Sequence, residues 1–277
     1  MRVAAVCARL RMPLVWLGAA LLIAGGALSA LPLSVAGGLV FVPGVACYLR
    51  VGIVRRPAVT VAAPVRGRWR AINSPADGVP SHGIVAYGQS HAVDLVHEPA
   101  EESRPGFGWW PLMRRPVDFP GFGKSVHAPI DGVVLRAVDR QRDHLSRSSW
   151  PALVYLLAEG VRELFGPRLI LGNHVILDRG DGVYAVLAHL RRGSLRVAQG
   201  QHVRTGDRLA ECGNSGNSTE PHLHFQLMDH RNPLFAAGLP VSFESFTVDG
   251  QSRSGMPSKQ HAFEVHSAPW ASHNQRS

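Results

Sequence analysis

Between Arg11 and Arg50 the chain places no charged residue for 38 positions, and no other stretch limits its folding as much. A helix that crosses the hydrocarbon core of a bilayer needs about 20 mainly apolar residues. This run is long enough for two. Leu31-Pro32 lies near its middle and supplies a turn, so helices are expected over 13–30 and 33–49. A secretory leader, the competing explanation, has an apolar core of only about 7–15 residues. Residues 1–56 are therefore read as a membrane anchor, a two-span hairpin in preference to a single span.

After position 56 the pattern changes to short apolar alternations punctuated by Gly, Pro, Asn and Asp, which indicates a mainly β domain. A linker with an approach strand is expected over 57–80 and a folded domain over 81–247. A disordered tail rich in Ser, His and Gln is expected over 248–277. One soluble helix is expected: WPALVYLLAEGVRELF, at 150–165, has apolar residues at helical spacing and lies in an insertion over 140–171.

The chemistry concentrates at 212–227, CGNSGNSTEPHLHFQL. Leu223, Phe225 and Leu227 alternate with His222, His224 and Gln226, so a strand here has one apolar face and presents both imidazoles on the other. Two imidazoles that close can share a metal ion, or one can hold it while the other moves a proton. Upstream, HAVDLV at 91–96 reads as a strand in which Asp94 points away from Val93 and Leu95. His91 stands three residues before Asp94, on the opposite face of a regular strand, and would need a bulge to join it. His82 stands twelve before, on a turn-rich loop without that restriction.

These stretches resemble the lysostaphin-type zinc endopeptidases, a family that cleaves peptidoglycan. The likeness is carried by Tyr184 to His189-Leu190, by Gly200 to Gly206, by Gly213 through Phe225 and by the hairpin text at 119–137, FPGFGKSVHAPIDGVVLRA. It implies an antiparallel barrel-sandwich domain folded into a groove, with the helical insertion added to it. It further implies Zn²⁺ held by Asp94, His224 and one loop histidine, His82 in preference to His91. His222 would then be the catalytic base, and His189 would orient the water or stabilise the oxyanion. The chain departs from the family in its first metal motif, His-x-x-x-Asp, because Ser90 stands four residues before Asp94.

The implied activity is a zinc-dependent metalloendopeptidase acting on peptide bonds of cell-wall peptidoglycan cross-links, membrane-bound with its catalytic domain extracytoplasmic. The alternative is a catalytically inactive wall-binding or hydrolase-activating module of the same fold. The altered first motif favours that alternative; the retained Asp94 and His-x-His oppose it. Arg2, Arg9, Arg11, Arg50, Arg55 and Arg56 flank the apolar run, and positive residues favour the cytoplasmic side. A hairpin would thus leave the domain inside, against the implied substrate. The net charge of +9 comes without a nucleic-acid-binding motif, so nucleic acid is not an expected partner. Cys7, Cys47 and Cys212 make no disulfide framework.

Overall fold

The structure, a computed structural model, describes residues 2–101, 104–154 and 167–266. Two helices open it, α1 (Arg2–Ala27) and α2 (Leu31–Leu49), joined over residues 28–30, just before the expected Leu31-Pro32, which instead opens α2. Glycine sets their spacing: a methyl group on Gly18 would stand 2.5 Å from the backbone nitrogen of Phe41, and one on Gly44 2.8 Å from that of Val15. Backbones this close hold two apolar helices together by van der Waals contact. Their outer faces stay apolar and open, with Leu17, Ile23, Leu39 and Val42 all more than half exposed. Both helices are long and apolar enough to cross a membrane. α1 begins at Arg2 rather than near position 13, because its first turns carry Ala4 and Ala8 into the core of the following domain.

That domain is mainly β. Its strands are β1 (Val59–Val61), β2 (Gly67–Ile72), β3 (Val93–His97), β4 (Ser125–His127), β5 (Gly132–Val138), β6 (Asn173–Asp178) and β7 (Tyr184–Leu190). There follow β8 (His202–Val203), β9 (Arg208–Glu211), β10 (Leu223–Met228), β11 (Gly238–Leu239), β12 (Val241–Val248), β13 (Gln251–Gly255) and β14 (Ala262–Val265). The main sheet runs β1-β12-β14-β2-β3-β10-β7-β6-β5-β8, and β4 pairs with β9 as a separate ribbon over the same core. All pairs are antiparallel except β1 with β12. β1 and β8 end the order without pairing to each other, so among the described strands the sheet is open. The barrel part of the expectation is not met.

Two expectations about the chain ends need correction. Residues 57–80 hold more than a linker and one approach strand: β1 and β2 are both members of the main sheet, and Trp69 and Ala71 of β2 are fully buried. The stretch from 248 to 265 is not disordered either. β14 sits between β12 and β2, with Phe263 opposite Trp69 and fully buried. A polar composition concealed this because alternate positions of a short strand suffice to join a core. The helix expected at 150–165 falls largely outside the described residues; Pro151–Val154 forms a 3-10 turn and Pro167–Leu171 a short helix, α3.

The period-two pattern of β10 does what it predicts. Leu223, Phe225 and Leu227 enter the main core, while His224 and Gln226 face the other way. Phe225 is fully buried and stacks on Phe243 with ring centroids 6.0 Å apart. Phe225→Ala should therefore cost roughly 3–5 kcal/mol of stability, the range for emptying a buried aromatic site. Denaturant unfolding of the full chain in detergent would measure it, and a loss under about 1 kcal/mol would mean that the sheet collapses around the cavity.

Candidate metal centre

β10 lies between β3 and β7, and its register places His224 directly opposite Asp94 on one side and Ala188 on the other. Facing residues of an antiparallel pair have neighbouring side chains, so a carboxylate and an imidazole 130 positions apart meet: His224 Nδ1 is 2.9 Å from Asp94 Oδ1. The loop before β3 brings His82 to the other carboxylate oxygen, with Nε2 3.0 Å from Asp94 Oδ2. One ligand atom from each of His82, Asp94 and His224 lies within 4.8 Å of the others. His91 is not in this group. Its Nδ1 lies 3.0 Å from Ser90 Oγ.

Hydrogen bonds on the far side of each ring decide which nitrogens are bare. Ser81 Oγ donates to Ala92 O at 2.7 Å and accepts from His82 Nδ1 at 3.1 Å, leaving His82 Nε2 without a proton. Gln226 Nε2 donates to Tyr87 O at 2.8 Å, which turns its Oε1 towards His224 to accept from Nε2 at 2.9 Å. His224 Nδ1 is then the bare nitrogen. As neutral imidazoles in these tautomers the two rings turn lone pairs towards the Asp94 carboxylate, whereas with a proton on the facing nitrogen each donates to it. A cation is the species such a set fits, and ring protons fixed by outer hydrogen bonds are the usual accompaniment of metal-binding histidines. Asn73 Nδ2 donates to Asp94 Oδ2 at 2.9 Å and helps to hold the carboxylate in place.

Two further imidazoles flank the group. His222, just before β10, donates from Nδ1 to Glu220 O at 2.8 Å, and its Nε2 stands 3.5 Å from Asp94 Oδ1. His189 donates from Nδ1 to Ser215 O at 2.9 Å, and its ring centroid is 4.8 Å from that of His222. His189 has a left-handed backbone, φ 60°. Asn173 pairs with Leu190 and Val175 with Leu187, so β7 has one residue more than β6 over this interval. That bulge re-aims His189 into the site; bulges commonly do this beside active sites.

The loop that supplies Ser215 is packed backbone to backbone. Gly172 and Gly216 have φ of 65° and 76°, and a methyl group on Gly216 would stand 2.4 Å from the Gly172 nitrogen. From the insertion, Asp143 Oδ1 accepts from Asn214 N at 2.7 Å and braces the same loop.

Burial by itself would push the Asp94 carboxyl up. In their protonated forms His82 and His222 by charge, and His222 and His224 as hydrogen-bond donors, outweigh it and hold Asp94 well below the usual carboxylate range. Burial drives His189 the other way, well below an ordinary histidine, helped by His222 and His224. For His222 burial is again the largest influence and lowers it, but Asp94 and the Glu220 carbonyl prevail and its pKa is raised. Asp94, His189, His222 and His224 are each buried, and His82 is the most exposed member.

All five residues picked out in the sequence therefore converge, His82 rather than His91 among them. Asn73, Ser81 and Ser218 were missed, and polar loop residues carry no periodic signal that would reveal them. Gln226 did carry one, since it lies two positions after His224 on the same strand face.

Three comparisons bear on this arrangement. Residues 113–235 match the sequence profile of peptidase family M23, a span that includes His189, His222 and His224 and begins after His82 and Asp94. The peptidoglycan DD-endopeptidase ShyA of Vibrio cholerae is 32% identical over 91 residues, covering 32% of this chain and 21% of that protein. The DD-carboxypeptidase/endopeptidase Mpg of Neisseria meningitidis is 29% identical over 133 residues, 48% of this chain and 29% of that one. The chain thus spans less than a third of the length of these relatives. Among solved structures, the catalytic domain of lysostaphin from Staphylococcus simulans aligns at 22% identity and a TM-score of 0.29, over 48% of this chain and 85% of that chain.

Proposed function

We propose that this chain, which carries a peptidase family M23 domain, is a zinc-dependent endopeptidase that hydrolyses peptide bonds in cell-wall peptidoglycan. The observation that carries the reading is the convergence of His82 Nε2, His224 Nδ1 and the Asp94 carboxylate. Two nitrogens and one oxygen suit zinc, and three protein ligands leave a position for water or substrate, as in catalytic rather than structural sites. Zinc bound there would supply a Lewis acid that polarises the scissile carbonyl and acidifies the attacking water.

His222 presents Nε2 to the site while its Nδ1 proton is committed to Glu220 O. It takes the water's proton at Nε2 and returns it to the leaving amine. His189 has its Nδ1 proton committed to Ser215 O, so the neutral ring has no proton to give an oxyanion. Its bare Nε2 accepts from the water and orients it. Of the two roles implied for His189, this geometry favours the first.

The hairpin of α1 and α2 anchors the domain in the membrane, and the domain works on the outer face. The arginines before the run argue less strongly for the cytoplasmic side than their positions alone suggest. Arg9 pairs with Asp229 at 3.1 Å, and Arg11 donates to Val85 O and Ala236 O. Their place in the chain is explained by contact with the domain.

The test uses the full chain in detergent with purified peptidoglycan. About one zinc per chain is expected by elemental analysis, together with release of new amino termini that a chelator stops and added zinc restores. A folded, zinc-loaded protein that releases no amino termini would leave the wall-binding module as the better reading.

A further inference from the structure

The helices do more than tether the domain. We propose that the hairpin is part of the support of the zinc site: Arg11 and Tyr48 hold the loop whose Tyr87 carbonyl orients Gln226, and Gln226 orients His224. This rests on the reading of His82, Asp94 and His224 as a zinc site.

The loop in question, between Val85 and His91, is unusual in its backbone. Tyr87 and Gly88 are consecutive left-handed residues, with φ of 57° and 78°. A non-glycine residue in that region is strained and persists only where its surroundings over-determine it. Here much of the surroundings is the hairpin. Arg11 is 2% exposed and donates to Val85 O at 2.8 Å and to Ala236 O. Val85 N donates to Tyr48 O at 3.1 Å, and the Tyr48 ring stands edge-on to that of Tyr87 with centroids 6.0 Å apart. A guanidinium reaches two carbonyls at once in a way that an ammonium does not. Removing the buried cation takes a donor from both carbonyls, and a buried acceptor left without a donor is costly.

On its other side the loop touches the site without slack. A methyl group on Gly88 would stand 2.8 Å from Gln226 Nε2, and one on Gly238 2.5 Å from Gly88 O. The Tyr87 carbonyl thus fixes which end of the Gln226 amide faces His224. A displaced carbonyl would let the amide turn and present its NH₂ to His224 Nε2. The ring would then carry its proton on Nδ1, the nitrogen that faces Asp94 and His82. Arg11 is in this sense a positioning residue for a metal ligand it does not touch. Arg9, whose side chain is 35% exposed, pairs with Asp229 and donates to Phe235 O at the edge of the same junction, and among the described residues makes no hydrogen bond to the loop between Val85 and His91.

The experiment measures zinc affinity of the full chain in detergent by competition with a chelator, with folding checked by circular dichroism. Arg11→Met and Gln226→Met should each weaken zinc binding about 10–100-fold, the usual effect of losing an outer partner of a metal-binding histidine. Arg11→Lys should fall between parent and Arg11→Met, and carries the test if Arg11→Met does not fold. Arg9→Ala should bind as the parent does. The decisive reading is the double variant: if Arg11 acts through Gln226, adding the Arg11 substitution to Gln226→Met weakens binding no further than about twofold. The proposal is overturned if the Arg11 variants bind zinc as tightly as the parent, or if the two effects add in full. Loss of zinc binding in His224→Ala separates the two readings. A parent chain that binds no zinc overturns the site itself, whereas a parent that binds it through His224 with indifferent Arg11 variants overturns only the role of the hairpin.

Discussion

His222→Ala is expected to keep its zinc and to hydrolyse peptidoglycan about 10²–10⁴ times more slowly, the usual contribution of a positioned general acid–base group. His222 lies on the same face as His224, yet its ring is set differently. Its Nδ1 proton is tied to Glu220 O, with Ser218 Oγ also within 3.1 Å, and its Nε2 stands 3.5 Å from Asp94 Oδ1, farther than the nearest nitrogens of His82 and His224. A ring held this way can receive a proton at Nε2 without letting go of its own support. The loss should appear in kcat with KM little changed, since the ring acts on the proton in flight rather than on bound peptide. A variant that loses zinc along with its rate would make His222 a ligand, and one that keeps its rate would remove it from the chemistry.

His82→Ala should lose zinc by more than the roughly 10–100-fold typical of an outer partner, and His91→Ala should retain the full complement. The reason is geometric. Asp94 belongs to β3 and faces away from the main core, whereas His91 ends the 3-10 turn Ala86–His91 before that strand, with its Nδ1 3.0 Å from Ser90 Oγ. The chain instead turns back through the loop, with Ser81 N donating to Ser90 O at 3.1 Å, and this closure carries His82 over the Asp94 carboxylate. Elemental analysis of the two variants decides the matter. Zinc lost from His91→Ala and kept in His82→Ala would restore His91 as the first ligand and require the loop to rearrange on binding metal.

The ends of the domain show where composition misleads. A stretch of Ser, Gln, Arg and Gly at 251–255 has nothing apolar to bury, yet it pairs along β12 as an edge strand, where only the backbone has to be satisfied. Residues 262–265 offer Phe263 and Val265 to the core, an alternation too short to stand out from the polar stretch around it. The parallel pairing of β1 with β12 joins residues some 180 positions apart, which no local pattern announces.

Legible in the sequence were the properties that one segment decides for itself. Strand geometry alternates side chains, so Leu223, Phe225 and Leu227 had to face one way and His222, His224 and Gln226 the other. A charge-free run of 38 residues had to form something whose apolar sides face no water, and of its three prolines Pro32, in the first turn of α2, lies beside the turn. The tertiary structure decided everything that depends on which segments meet. It brought His82 rather than His91 beside Asp94, because a loop closes on Asp94 from outside the strand. It turned His189 inward through a bulge that arises only when β7 is laid against β6. It brought Arg11 and Tyr48 against the loop that ends at Gln226 and His224. Local patterning fixes the face on which a side chain lies, whereas the direction of its lone pair depends on partners supplied by distant parts of the chain.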